Sequence, residues 1–160
     1  MASDRVKQAR LKVARYCAMA ERSPRQVIDK LEKYGLSGHE AEKVFIALKS
    51  EKFVDEERFA GAFVNDKFTF NQWGRNRLKQ ELKLHDIPGE IIENAIYSIP
   101  DEEYTETVSA LLEKKWAKIR DDEHFLSRKK KTIDYLLRKG FEGSVVFSCF
   151  EEFMSRRKQS

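Results

Sequence analysis

The side chains that most often carry out chemistry are scattered along this chain. His39, His85 and His124 have no Cys, Asp or Glu near them at a recognisable metal-ligand spacing, so the sequence predicts no zinc site. Cys17 and Cys149 lie among apolar neighbours and form no Cys-x-x-Cys pair, which favours buried, reduced thiols. We therefore expect neither a metal nor any other cofactor.

Known catalytic sequence motifs are also missing. The chain has no P-loop, no Gly-x-Ser-x-Gly nucleophile elbow and no Gly-x-Gly-x-x-Gly after a strand. Its carboxylates cluster at residues 55–57 and 101–103, where they would complement the dipoles of helix N-termini. These observations predict that the protein is not an enzyme.

The basic residues are better functional candidates, because they concentrate in three blocks. Residues 3–15 and residues 67–85 each hold five cations and one carboxylate, and residues 127–139 hold six cations and one carboxylate. The whole chain carries a net charge of +4, which permits an anionic partner without requiring one. A solvated surface explains any single block as well as a binding site does.

The third block contains a run of four cations, residues 128–131. If Ser127 caps a helix there, the run crowds its positive end, where the dipole disfavours each cation by roughly 0.3–1 kcal/mol. Such a placement favours docking of phosphates or carboxylates. If the helix begins near residues 121–122 instead, the run lies in mid-helix and this argument weakens.

Aromatic residues accompany the second block, namely Phe68, Phe70 and Trp73. Aromatic rings beside arginines suit a nucleic-acid groove or a protein hot spot, although closing a helical core is an equally simple role for them. The candidate contact residues from both blocks are Lys67, Trp73, Arg75, Arg77, Lys79, Arg128, Lys129, Lys130 and Lys131.

Helices are expected to position all of these residues, because apolar residues recur three and four apart. Ser23, Pro24 and Gln26 form a capping-box pattern with proline at the first helical position. Residues 37–40 predict a second capping box, and Gly35 is a suitable left-handed helix terminator. The pattern predicts nine helices of modest length.

The helical pattern repeats three times. Windows 31–36, 82–87 and 136–141 each place one apolar residue five positions before another, which directly follows Gly or Asp. Self-similarity at such a period predicts stacked supersecondary units. We therefore expect an all-α protein of three tandem three-helix repeats in an elongated array that could be curved. The expected repeats span residues 1–53, 54–99 and 100–160, the last with a basic C-terminal tail.

The sequence also bears on the protein's location. The longest apolar runs, such as residues 44–48, fall far short of the roughly 18 residues that a membrane span needs. The first residues lead directly into charged sequence, without the apolar region of a secretory signal. We expect a cytoplasmic protein without a membrane partner.

Four separated motifs resemble those of the RecX family, the bacterial regulators of the RecA recombinase. Residues 53–63 and 74–82 are similar to its signatures, and residues 20–23 and 135–141 are similar to its first and third repeats. The motif residues with expected structural roles are Gly35, Asp55, Arg58, Phe59 and Gly140.

The chain departs from the family pattern at two places. Arg75 stands where the family often has proline, and residues 85–86 replace a Lys-Gly pair. Both differences fall at a turn or a helix end, so they affect the transfer of contact residues more than they affect family membership.

The resemblance implies a non-enzymatic regulator built of nine helices, and the polar composition of the chain favours a monomer. RecX-like proteins bind the RecA–DNA filament along its groove, inhibit its ATPase and strand exchange, and promote its disassembly. These effects modulate recombinational DNA repair and the SOS response. Basic surface near Arg75, Arg77 and residues 128–131 is expected to face acidic protein or DNA. The alternative is a helical-repeat protein that binds single- or double-stranded DNA directly and independently of RecA.

Overall fold

The computed structural model describes residues 3–159, and within this range the backbone forms nine α-helices and no strand. The helices are α1 (Asp4–Met19), α2 (Pro24–Lys33), α3 (Gly38–Ser50), α4 (Glu56–Asp66), α5 (Arg75–Leu84), α6 (Gly89–Ile96), α7 (Asp101–Lys118), α8 (Phe125–Arg138) and α9 (Gly143–Gln159). A π-helical turn, Lys67–Asn71, follows α4 directly. The predicted all-α class is confirmed.

Of the two predicted capping boxes, only the first forms. The Ser23 hydroxyl accepts a hydrogen bond from the Gln26 amide at 3.1 Å, and the Gln26 side chain accepts one from the Ser23 amide at 2.9 Å. Ser37 precedes α3 but makes no side-chain cap. The prediction for residues 37–40 was wrong, because the Glu40 carboxylate pairs with Arg5 at 2.8 Å instead.

The three similar sequence windows end in the same turn. A residue with positive φ ends each helix, and the next amide returns to the carbonyl five residues earlier, as in a Schellman motif. The left-handed residues are Gly35 (φ +90°), Asp86 (φ +61°) and Gly140 (φ +97°). The returning bonds join Leu36 to Leu31 (3.0 Å), Ile87 to Leu82 (3.1 Å) and Phe141 to Leu136 (3.2 Å). The sequence repeat is therefore also a backbone repeat.

The chain divides into two compact units. Unit 1 comprises the residues up to 64 together with 81–95, and unit 2 comprises residues 65–80 together with those from 96 onwards. The chain passes from one unit to the other inside α4, inside α5 and at the end of α6. The repeat boundaries expected from the sequence, after residues 53 and 99, stay a prediction.

Unit 1 has its core among α1, α2 and α3, where Val13, Val27, Leu31 and Leu48 are fully buried. The N-terminus of α2 meets the end of α5, because the Ser23 hydroxyl lies 2.8 Å from Nδ1 of His85.

Other contacts in unit 1 involve the motif residues at the start of α4. The Asp55 carboxylate accepts a hydrogen bond from the Arg58 amide at 3.0 Å, which caps α4. Nε of Arg58 lies 2.6 Å from the Glu21 carboxylate, and the buried Phe59 ring packs against His85.

Candidate functional site

The start of α5 is fixed on the end of α8 within unit 2. The Gly74 amide donates to the Lys139 carbonyl at 2.8 Å, and the Asn76 amide donates to the Gly140 carbonyl at 2.9 Å. A β-carbon on Gly74 would collide with the Gly140 backbone, and one on Gly140 would collide with Arg77. Only glycine permits this close approach, which brings Arg77 beside the end of α8.

The segment before α5 contains a left-handed residue and places Trp73 beside two cations. The π-helical turn ends at Gln72, which is left-handed with a φ of +56°. The Lys67 ammonium and the Arg77 guanidinium lie 5.1 Å and 4.0 Å from the centre of the Trp73 ring. These are the distances of cation–π contacts.

Lys139 adds a further cation near Arg77 and lies close to a second aromatic ring, that of Tyr135. Its ammonium donates to the Asn71 carbonyl at 3.0 Å and lies 5.8 Å from the centre of the Tyr135 ring. The ammonium of Lys115, on α7, lies 4.9 Å from the same ring. Burial, and then the nearby charge of Arg77, lower the pKa of Lys139 below its usual value.

These residues form a single surface in unit 2, which we call the basic–aromatic surface. It consists of Lys67, Trp73, Arg77, Lys115, Tyr135 and Lys139. The sequence predicts Lys67, Trp73 and Arg77 as contact residues, and Lys79, also predicted, lies half-buried on the same helix as Arg77. It did not single out Lys115, Tyr135 or Lys139 as contact residues, because only the fold brings α7 and the end of α8 to this place.

Arg75 lies inside unit 2, with only 7% of its side chain exposed. Its guanidinium donates to the carbonyls of Ile96 at 3.1 Å and Ile99 at 3.4 Å. It also pairs with the carboxylates of Asp101 at 3.3 Å and Glu142 at 3.4 Å. Arg75 therefore joins the end of α6 to the starts of α7 and α9, and its burial argues against direct contact with a partner.

Tyr104 completes this buried network. Its hydroxyl accepts a hydrogen bond from the Arg75 amide at 2.9 Å and donates to the Glu142 carboxylate. Burial and the hydrogen bond to Glu142 raise the pKa of Tyr104 well above its ordinary value. The ring packs on Phe68, which closes the core as the simpler sequence interpretation expected, whereas Phe70 is 79% exposed.

The N-terminus of α8 differs from both sequence alternatives. The helix begins at Phe125, and Nδ1 of His124 accepts a hydrogen bond from the Leu126 amide at 3.2 Å. The Ser127 hydroxyl is no cap, because it donates to Glu123. The basic run starts at the fourth residue of the helix, beyond the first turn where the dipole acts, so the dipole argument for an anion site there was wrong.

The basic run of α8 is engaged within the chain. Arg128 is buried, donates twice to the Trp116 carbonyl at 3.2 Å and 2.8 Å, and lies 4.0 Å from the centre of the Trp116 ring. The other contacts join Lys129 to the Phe150 ring (5.3 Å), Lys130 to Asp134 (2.6 Å) and Lys131 to Glu123. These partners leave the run less suited to an anionic ligand than the basic–aromatic surface.

Metal-ligating groups do not converge in the part of the chain that the structure describes, where no three His, Cys, Asp or Glu side chains could share a metal ion. Cys17 and Cys149 are both buried and unpaired, and burial raises the pKa of the Cys17 thiol. Among residues 3–159, no helix is long and apolar enough to cross a membrane.

Two family models match the chain. Residues 55–96 match the model described as "RecX, second three-helix domain", and residues 101–150 match the one described as "RecX, third three-helix domain".

Curated relatives extend the match to the rest of the chain. The regulatory protein RecX of Bacillus licheniformis is 32% identical over 152 residues, which cover 93% of this chain and 56% of the relative. The one from Oceanobacillus iheyensis is 30% identical over 135 residues, which cover 82% and 48%. The chain thus spans about half the length of the curated relatives it matches.

Solved structures share the fold. A crystal structure of RecX from Lactobacillus salivarius superimposes with a TM-score of 0.85 at 19% identity, covering 94% of this chain and 97% of that one. A second crystal structure, of a regulatory protein RecX, has a TM-score of 0.84 at 20% identity and covers 92% and 72%.

Proposed function

Because this chain belongs to the RecX family of regulatory proteins, we propose that it binds the RecA–DNA filament and inhibits its ATPase and strand exchange. It would thereby modulate recombinational DNA repair and the SOS response, as a cytoplasmic monomer acting without covalent chemistry. The curated relatives are about twice as long, so the proposal concerns the helical units that the chain shares with them.

The observation that carries this proposal is the basic–aromatic surface of unit 2. Four of its six residues are cations and none is a carboxylate, so it complements DNA phosphates or an acidic protein surface. Its cations lie over aromatic rings, an arrangement common in binding hot spots.

The mechanism follows from differential binding. A protein that binds one filament state more tightly than another shifts the filament towards the preferred state, without turnover of its own. If the preferred state hydrolyses ATP slowly, binding depresses the ATPase in proportion to the bound fraction.

The test is RecA ATP hydrolysis on single-stranded DNA, measured with increasing amounts of the full chain. We expect wild type to lower the rate. The double variant Trp73→Ala, Arg77→Gln should need at least about tenfold more protein for half inhibition, equivalent to about 1.4 kcal/mol. Lys130→Gln serves as the control, because Lys130 is already paired with Asp134. An ATPase rate unchanged by saturating wild type contradicts the proposal.

Direct DNA binding that is independent of RecA is the second candidate function. It is favoured by the stacking of Arg77 on Trp73, since aromatic rings and guanidinium planes both stack on unpaired bases. Salt dependence separates the two functions. Direct binding to duplex DNA weakens with a log–log slope of about −0.9 per contacted phosphate, whereas filament binding requires RecA and should tolerate salt better.

A further inference from the structure

A small cavity of about 140 Å³ lies in unit 2 beside the basic–aromatic surface. Its walls come from α7, α8 and the left-handed residue before α5. The lining residues are Gln72, Leu111, Lys114, Lys115, Lys118 and Tyr135. Three of the six are lysines and none is a carboxylate, so the cavity is strongly positive.

Among the described residues, no carboxylate pairs with the lysines of this cavity. Lys114, Lys115 and Lys118 form no ion pair with any carboxylate of residues 3–159. The helix C-terminus favours cations, which accounts for Lys115 and Lys118 in the last turn of α7. This dipole effect does not explain why Lys115 and Lys118 line the same cavity as Lys114.

Neutral hydrogen-bonding groups complete the lining. The side chains of Gln72 and Tyr135 make no hydrogen bond in the part of the chain that the structure describes, so both are available to a ligand. An amide, a phenol and three ammonium groups around one small volume are donors that suit the oxygens of a phosphate group.

The cavity is continuous with the aromatic rings. Tyr135 belongs both to its wall and to the basic–aromatic surface, and Gln72 directly precedes Trp73. A ligand held at the three lysines therefore extends naturally past Tyr135 and Lys139 towards Trp73.

We propose that this cavity holds a backbone phosphate of single-stranded nucleic acid whose bases lie against the neighbouring aromatic rings. Single strands are bound by grooves that combine backbone-tracking cations with aromatic stacking platforms, and unit 2 places both features side by side. An acidic peptide would use the lysines, whereas a single strand would also use the rings by stacking its bases on them. The inference deepens the proposed function, because it assigns this site to the DNA strand rather than to RecA.

The test is binding of a fluorescent oligodeoxythymidylate, longer than the roughly 4–16 nucleotides that one domain covers, to the full chain without RecA. Anisotropy is measured at several salt concentrations. The variant Lys114→Gln, Lys115→Gln, Lys118→Gln should bind at least tenfold more weakly. Its log–log salt slope should be shallower by about 0.7, because the variant no longer neutralises the one phosphate held in the cavity.

A matched control carries the same change of charge in unit 1. Lys7→Gln, Lys33→Gln, Lys43→Gln removes three exposed lysines and should change the affinity less than threefold. Circular dichroism verifies that each variant folds. If the triple cavity variant does not fold, the single variant Lys115→Gln replaces it, and Lys115→Arg, which keeps the charge, should restore binding.

Three outcomes overturn the inference. The first is that wild type does not bind the probe at low salt. The second is that the two triple variants lose affinity equally. The third is that wild type binds polyglutamate as tightly as it binds the oligonucleotide. The last outcome identifies an acidic protein as the ligand.

The same proteins in the RecA ATPase assay separate this inference from the proposed function. Wild type that inhibits RecA while the cavity variant keeps full probe affinity disproves the inference alone. Wild type that binds the probe through the cavity but leaves RecA unaffected supports the inference and disproves the proposed function alone.

Discussion

Gly74 and Gly140 lie backbone against backbone in unit 2, and neither position has room for a β-carbon. The amide of Gly74 donates to the Lys139 carbonyl at 2.8 Å across this contact. Since Trp73 directly precedes Gly74 and Arg77 packs against Gly140, the glycine pair fixes where these two residues lie relative to Lys139. The basic–aromatic surface of unit 2 thus depends on glycine, which has no side chain, at both positions.

Gly74→Ala should destabilise the protein by about 2–3 kcal/mol, because the added methyl group meets rigid backbone rather than a flexible side chain. Urea unfolding followed by circular dichroism measures the effect. Gly61→Ala is the matched control. No atom lies near that position inside α4, so removing a helical glycine should stabilise by about 0.5–1 kcal/mol. Equal unfolding midpoints for the two variants would show that the glycine contact is unimportant.

Arg75→Ala should cost about 3 kcal/mol of unfolding free energy. The substitution leaves the half-buried Glu142 carboxylate without its cation and deprives the carbonyls of Ile96 and Ile99 of a donor. The Asp101 carboxylate is 95% exposed, so Asp101→Asn should cost less than about 1 kcal/mol. A similar loss of stability in both variants, measured by urea unfolding, would assign the effect to the surface pair instead.

Tyr104 makes the stability sensitive to alkaline pH. Its pKa is raised in the folded protein, whereas in the unfolded chain it is near 10. The folded state therefore retains a proton that the unfolded state loses. This contribution is complete below about pH 10 and is lost as the pH rises towards the folded pKa, by up to about 1.4 kcal/mol per pH unit. Tyr104→Phe should show a shallower decline of stability above pH 10, and identical slopes would contradict this.

Arg128 and Lys130 should respond differently to substitution, although they are two residues apart in one basic run. Arg128→Ala removes two hydrogen bonds to the Trp116 carbonyl and a cation–π contact with its ring, and should cost about 2–3 kcal/mol. Lys130→Ala breaks only an exposed pair with Asp134, worth under about 1 kcal/mol. Thermal unfolding of both variants provides the comparison. A larger destabilisation by Lys130→Ala would reverse the assignment of structural and surface roles.

Several features that depend on neighbouring residues were predictable from the sequence, although the capping box at residues 37–40 was not correct. Ser23 and Gln26 form their capping box three residues apart, and the left-handed turn at Gly35 follows from the absence of a β-carbon. The repeat was visible for the same reason, since each window contains both the turn and the apolar residues that flank it. Local hydrogen bonds leave a local signature in the sequence.

Features that depend on distant partners were not predictable. Arg75 and Arg128 looked like surface charges, but their acceptors are the carbonyls of Ile96 and Ile99 and that of Trp116, which no sequence pattern identifies. The pairing of Lys115 with Tyr135 was likewise invisible, because the two lie on different helices. A run of like charges says little about which members are buried.

The repeated left-handed turn also bears on how such a chain can lengthen over evolution. Each turn satisfies its own amides and carbonyls within a few residues, so a duplicated copy brings along everything needed to end its helix. Whole copies, spaced here by 51 and 54 residues, can then be added without disturbing the turns already present. An insertion within one window would instead disrupt its turn, because it would separate the amide from the carbonyl five residues earlier to which it donates.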